Sequence, residues 1–474
     1  MNKTKLSTVL NRILFGLILF LLGFIILYPK FPLFNIKGTF VAVRVEDFLI
    51  AATIVIWMVY QYIKKDFTFF TKGTIGKALL LFFLTGIFSL FSAYFLTFTS
   101  TTNLAILHFL RRVELIALLP ICATIVTTKK RLSTVLLVLV FTLLAVNIYA
   151  LGQQYFDWPV ISTTNSEFSK GLILRLTPGA RVNSTFAGHY DLAVFLAVAL
   201  VFLSALLFAV RNSLKFVLLG LSALTLFVLT LTAARISFAA AFLGLIFSLI
   251  FARRKKYLIL LALLLGISLV YPSQLRDRFI STITINILNM GNRYEGRNNN
   301  QRLENKLNIP TLAYRMASRS ADVSTFATPS GALPTDIAPG EPTNVTELGV
   351  YRSFQIRLNT EWPMALRAFY KNPFFGTGYA SLGLATDNDF LRSLGETGIL
   401  GTAAFFLLLL AIWKEIFKGL GQHNKFIRYF SAGTLSAIIV FLANGLFIDV
   451  FEASKVASLF WMILGINLAV LRNE

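Results

Sequence analysis

Apolar runs of membrane-crossing length follow one another along most of this chain, and no soluble fold can bury so many. Residues 11–28, 46–63, 77–98, 104–127, 132–152, 189–210, 213–232, 235–251, 257–271, 399–413, 427–446 and 455–471 are such runs. About 20 apolar residues in helical form cross the ~30 Å hydrocarbon core of a bilayer. Backbone polar groups at that depth must be satisfied within the protein, which a helix does by itself. Of the 474 residues, 56% are hydrophobic and only 14% are charged. A soluble domain of this composition would expose large apolar patches. The expected fold is all-α, a polytopic membrane protein with about twelve transmembrane helices. The first run follows a basic tail, and no small-residue cleavage pattern precedes the turn at Tyr28-Pro29-Lys30. It reads as an uncleaved first helix.

The net charge of +22 suggests nucleic acid until its distribution is mapped. With the N-terminus placed in the cytoplasm, alternate connections carry Lys3/Lys5/Arg12, Lys64/Lys65/Lys72/Lys77, Lys129/Lys130/Arg131, Arg211/Lys215, Arg253/Arg254/Lys255/Lys256, Lys414/Lys418/Lys425/Arg428 and Arg472. Only Asp66, Glu415 and Glu474 oppose them, so these connections account for 18 of the 22 net charges. That asymmetry is the positive-inside rule. It puts both termini in the cytoplasm and argues against a nucleic-acid partner. The single cysteine, Cys122, permits no intrachain disulfide and no cysteine-based metal site. Three histidines, His108, His189 and His423, argue against a histidine-rich one. No metal and no other cofactor is expected.

In this orientation two connections are long and external, residues 153–188 and 272–396. The chain therefore divides into spans one to nine (1–271), a large extracytoplasmic loop (272–398) and spans ten to twelve (399–474). Within the large loop, residues 289–306 are Asn-rich and residues 327–344 are rich in Pro and Gly, so both read as irregular. Order is expected to return near Glu347. Residues 351–370 have helical character despite Pro363, and residues 388–396 resume a helical pattern that leads into the tenth span.

Charged residues at membrane depth cost about 2.5–3.5 kcal/mol on insertion scales and are functional candidates by default. Arg235 stands where two spans meet with almost no loop. It can snorkel to the interface or face inward as an anion ligand. Arg111 and Glu114, three apart in the fourth span, share a helix face and are expected to pair. Arg181, His189 and Asp191 close the first external loop and open the sixth span. Arg352 and Arg357 precede Trp362 in the large loop; arginine forks match phosphate oxygens, and Arg357 can also pair with Glu361 four residues on. Asp387-Asn388-Asp389 follows a glycine-rich turn at the re-entry to the membrane. Its carboxylates suit a general base, and the same residues suit an N-cap before Phe390-Leu391.

Four blocks together resemble the O-antigen ligase and O-antigen polymerase family of bacterial envelope glycosyltransferases: RVNSTFAGHYDLAVFLAV, LTLTAARISFAAAFLG, RLNTEWPMALRAFYKNPFFGTGY and DNDFLRSLGETGILG. They span roughly residues 180–405, around one large external loop. The resemblance implies a GT-C-like, metal-independent membrane transferase. Its donor is a glycan on undecaprenyl diphosphate at the outer leaflet, and its acceptor is lipid A core for a ligase or a lipid-linked repeat unit for a polymerase. By match, diphosphate binding falls on Arg181, Arg235, Arg352 and Arg357. Where ligases of the family carry His before Asn, this chain has Asp387 before Asn388, which turns the reading toward a polymerase or another acceptor. The base is Asp387, Asp389 or His189. The competing readings are a transporter or flippase of lipid-linked glycan, and a non-catalytic envelope scaffold. The first asks for charges spread through mid-membrane positions and for helices broken there.

Overall fold

The computed structural model describes residues 3–36, 42–71, 73–99, 102–161, 173–174, 176, 180–270, 272–284, 345–383 and 385–472. The Asn-rich and Pro/Gly-rich stretches of the large loop lie outside the described residues. The fold is all-α. Among the described residues its α-helices of ten residues or more are α1 (Lys3–Leu27), α2 (Val45–Lys64), α3 (Thr74–Phe91), α4 (Thr102–Ile125), α5 (Lys129–Tyr155), α6 (His189–Leu206), α7 (Asn212–Leu231), α8 (Arg235–Phe251), α9 (Leu258–Val270), α10 (Gln274–Ile283), α11 (Val345–Ile356), α12 (Trp362–Lys371), α13 (Asp389–Lys418), α14 (Lys425–Gly445) and α15 (Ser454–Leu471). Two short antiparallel strand pairs, Pro32–Asn35 with Ala42–Arg44 and Val160–Ile161 with Ile173–Leu174, are the sheet found among the described residues.

Each of the twelve predicted apolar runs falls on a helix. Among the described residues, nine helices are long and apolar enough to cross a membrane, or ten if the sharply bent pair Lys255–Val270 and Gln274–Ile283 forms one span. α8 is apolar but has only 17 residues. α4 is long enough but carries Arg111, Arg112 and Glu114. The protein is a multi-pass membrane protein. α15 is buried almost along its whole length and packs most extensively on α4, while α14 packs on α6 and α8. These central helices form the wall against which the polar site is built.

The large loop rejoins the bundle through a helical path that Pro363 shapes. Pro lacks the N–H that would bond the carbonyl four residues back, and its ring crowds that carbonyl. The backbone widens just before it into a π-turn, Arg357–Glu361, and α12 then starts with Pro363 in its first turn. After α12, residues 372–378 fold back onto a break inside α13. Gly398 is the break, with φ 65° and ψ −170°, a conformation that essentially only glycine adopts. The break frees backbone carbonyls, and the FGTGY turn meets them. Thr377 N–H donates to Gly395 O and Gly378 N–H to Glu396 O, both at 2.9 Å, and Ile399 N–H donates to Pro373 O at 2.8 Å. Ser89 Oγ donates to Glu396 O at 2.7 Å, and Ser92 Oγ to Gly376 O at 2.6 Å, tying the turn to α3 and its extension.

A Cβ at Gly398 would overlap the Phe374 carbonyl as well as strain the backbone. Gly398→Ala is expected to destabilise the protein by at least about 1–3 kcal/mol. Thermal unfolding of the purified variant in detergent measures this, and an unchanged midpoint would show that the break is not rigid.

Candidate active site

Four arginines from separate parts of the chain converge on the first turn of α6. Arg181 lies in the segment that enters α6, and Arg235 is the first residue of α8. Arg278 lies on α10, and Arg357 opens the π-turn. The charges of Arg181, Arg278 and Arg357 all reach Tyr190, and Arg235 interacts with Tyr190, Arg181 and Arg357. Arg235 Nη1 donates to Thr282 Oγ1 and, at 3.3 Å, to Arg278 O, which docks α10 on the start of α8. Two helix N-termini, those of α6 and α8, add their partial positive charge to the same region.

Among the described residues, most of this positive charge has no anion against it. Arg278 is buried, and its Nε and Nη1 have no hydrogen-bond partner; Arg357 Nε is likewise buried and unpartnered. Desolvated guanidinium N–H groups without acceptors are costly to fold, so their presence argues for an anionic ligand. Oxygens of a phosphate or diphosphate suit such donors. Among the described residues, no three His, Cys, Asp or Glu side chains are placed to hold a metal ion. The cations this site offers are guanidiniums.

One carboxylate enters the cluster. Asp387 Oδ2 lies 2.7 Å from Arg357 Nη2, with 35% of the Asp387 side chain exposed. Burial pushes its carboxyl above the usual range, the Asp449 charge adds to this, and Arg357 opposes it. Asp387 has φ 49°, a conformation Asp tolerates better than most residues. Asp449 fixes it there: its Oδ2 accepts from Thr386 N–H at 2.8 Å, Asp387 N–H at 3.2 Å and Arg392 Nη2 at 3.1 Å.

The structure therefore brings Arg181, His189, Arg235, Arg357 and Asp387 together. Arg352 is half-buried on α11, five residues before Arg357. Each of the other two base candidates has one side-chain atom engaged, though Asp389 Oδ1 is buried without a hydrogen-bond partner. Arg181 Nη1 lies 2.6 Å from His189 Nε2. A guanidinium only donates, so that nitrogen lone pair is taken in this arrangement. Asp389 is buried, and its Oδ2 accepts from Val450 N–H at 2.8 Å and Phe451 N–H at 3.3 Å, anchoring the α14–α15 connection. Two local pairings that helical spacing offered are not formed. Arg357 pairs with Asp387 and not Glu361, because the π-turn and the fold-back bring Asp387 to it. Arg111 pairs with Asp47 of α2 at 3.4 Å, while Glu114 Oε1 is buried without a hydrogen-bond partner. The cap of α13 is Asn388, whose Oδ1 accepts from Phe390 N–H at 3.0 Å and Leu391 N–H at 2.9 Å. Asp387 is thus released from capping.

Sequence reasoning missed Arg278, Tyr190 and Asp449. Tyr190 adjoins a residue that was singled out. Arg278 carried a signal in Ser273, which caps α10 by accepting from Arg276 N–H at 3.2 Å, before the amphipathic run QLRDRFISTI. Asp449 sits in a short connection between two apolar helices, and nothing local marks it.

Residues 220–406 match the family model described as O-Antigen ligase. The match bears out the resemblance drawn from the four sequence blocks, three of which lie inside it. A comparison with curated proteins gives no match.

Asn388→Ala is expected to cost about 1 kcal/mol through loss of the cap, and Asn388→Asp only a few tenths. Unfolding midpoints of the two variants check this; equal losses would mean that the amide's bond to Leu446 O at 3.0 Å matters more than the cap.

Proposed function

We propose that this protein transfers a glycan from undecaprenyl diphosphate to a glycan or lipid acceptor at the outer leaflet of the bacterial inner membrane. The observation that carries the reading is the convergence of Arg181, Arg235, Arg278 and Arg357 on one buried site, with donor groups on Arg278 and Arg357 left unpartnered. The match to the O-antigen ligase family over residues 220–406 supports the reaction class. The orientation rests on charge. α5 begins at Lys129, and the α6–α7, α8–α9 and α13–α14 connections carry Arg211, Arg253 to Lys256, and Lys418 to Arg428. Those basic ends lie opposite the helix ends that carry the site, which supports a cytoplasmic side for both termini and an external one for residues 272–396.

The arginines hold the diphosphate while the acceptor hydroxyl attacks the sugar C1. As the C1–O bond breaks, its electron pair stays with the diphosphate. Fixed guanidiniums then meet growing negative charge where little water screens it. Asp387 is placed to receive the hydroxyl proton. No metal or other cofactor has a part in this scheme. Asp387 at the family's His position favours a polymerase, or an acceptor other than lipid A core. A transporter would need charged groups distributed along a path, whereas these arginines gather at one end.

Arg235→Ala, Arg278→Ala and Arg357→Ala should each lower transfer about 10²–10³-fold while the protein remains inserted. Arg357→Lys should also be poor, since an ammonium lacks the bidentate fork. Transfer from an extracted undecaprenyl-diphosphate-linked oligosaccharide, assayed in proteoliposomes, measures both effects. Activity near wild type in Arg278→Ala would remove that residue from the anion site. A topology reporter fused near Asn344, outside the described residues, should report an external location; a cytoplasmic signal would overturn the orientation and the mechanism with it.

A further inference from the structure

We propose that Glu361 takes up, through Asp387, the proton that the acceptor hydroxyl gives up, an inference that rests on the glycan-transfer reading. Glu361 closes the π-turn that Arg357 opens. Short π-turns inside helices are frequent at functional sites because they redirect side chains. Here the turn carries Arg357 and Glu361, and Asp387 comes to Arg357 from the loop before α13, within electrostatic reach of Glu361. Arg357 pairs with Asp387 at 2.7 Å, and among the described residues Glu361 has no salt bridge. Glu361 Oε2 is buried and has no hydrogen-bond partner, and the adjoining Trp362 Nε1 is in the same condition.

The groups that act on Glu361 come from three neighbouring elements. Asp387 in the loop before α13 acts most strongly, then Arg357 on the same turn, Asp449 between α14 and α15, and Arg392 on α13. Burial first, and Asp387 second, push the Glu361 carboxyl up to about 7. A buried carboxylate without a partner is poorly solvated when ionised, and the neutral acid has a much smaller desolvation cost.

The balance of the step is simple. The acceptor oxygen forms its bond to C1 as the C1–O–phosphate bond breaks, and the electron pair of the broken bond leaves on the diphosphate. The acceptor O–H proton passes to the Asp387 carboxylate and from there to Glu361 Oε2. Negative charge growing on the diphosphate beside Arg357 makes both neighbouring carboxylates better proton acceptors as the reaction proceeds. Asp387 touches the acceptor in this scheme, and Glu361 acts behind it as a positioning residue for the proton.

The test is a pH profile of initial transfer rate in proteoliposomes, with undecaprenyl-diphosphate-linked oligosaccharide as donor. It compares wild type with Glu361→Gln, Glu361→Asp and Asp387→Asn. The acceptor carboxylate must be ionised, so the wild-type rate should rise with pH through a midpoint near 7. Glu361→Gln should lose that limb and at least tenfold in rate, and Glu361→Asp should keep a limb with a shifted midpoint. An infrared titration without donor gives a second readout that is independent of activity. Wild type should show a protonated-carboxyl band that vanishes as pH rises through the same midpoint, Asp387→Asn should show it vanish at a lower pH because the Asp387 charge no longer raises Glu361, and Glu361→Gln should not show it. A wild-type limb retained in Glu361→Gln, or that band retained in it, overturns the role of Glu361 while leaving glycan transfer standing. Wild-type protein that shows the band and transfers nothing overturns the transfer reading, and the proton role falls with it.

Discussion

A helix that breaks inside a membrane bundle must find partners for every backbone group it frees, and the turn at residues 373–378 is where this chain meets that demand. In hydrocarbon an unsatisfied N–H or C=O costs several kcal/mol. The break at Gly398 would be untenable without the N–H groups of Thr377 and Gly378 and the hydroxyl of Ser89, while Ser92 holds the turn itself at Gly376 O. Once the break is secured, the first part of α13 is held apart from the apolar length that follows it. That sets the position of Asn388 as cap and brings Asp387 to Arg357.

The charges buried around this break fall into two kinds. Arg392 is enclosed by Glu396 at 3.4 Å and Asp449 at 3.1 Å, and Arg112 pairs with Glu452. Lys455, almost wholly buried, donates to the carbonyls of Ile26 at 2.9 Å, Tyr28 at 2.8 Å and Thr185 at 2.7 Å. These groups have local partners, as buried charges must if they serve structure. Among the described residues, the arginines around Tyr190 have one carboxylate against them. The difference between the two kinds is what separates scaffold from site, and neither helix position nor exposure would have made it.

The helices were legible because apolar runs of about 20 residues have few alternatives to crossing a bilayer. Arg235 and Arg357 were legible as candidates for a related reason, since a charge in such surroundings needs an explanation. Pairings were much less legible. Spacing of three or four residues favoured Arg111 with Glu114 and Arg357 with Glu361, yet each arginine meets a carboxylate from elsewhere in the chain, Asp47 and Asp387. Helical spacing shows which side chains can meet, and the fold-back of distant segments decides which do. Arg278 was obscured for another reason. It belongs to a short amphipathic helix at the edge of a long polar stretch, where a charged residue is unremarkable until Thr282 one turn on is found holding Arg235.

Asp387 joins the two halves of this arrangement. Its left-handed backbone, at φ 49°, is a conformation few residues other than glycine adopt without cost. It persists because Asp449 accepts its N–H and that of Thr386, while Arg392 neutralises Asp449 from the other side. The scaffold ion pair thus fixes the backbone that aims the site carboxylate. If Arg392 lost its charge, Asp449 would be a buried anion without its cation, and the turn carrying Asp387 would lose its anchor before any group in the arginine cluster was touched. Fold and chemistry meet in that carboxylate of Asp449, which belongs to the scaffold by its partners and to the site by what it holds in place.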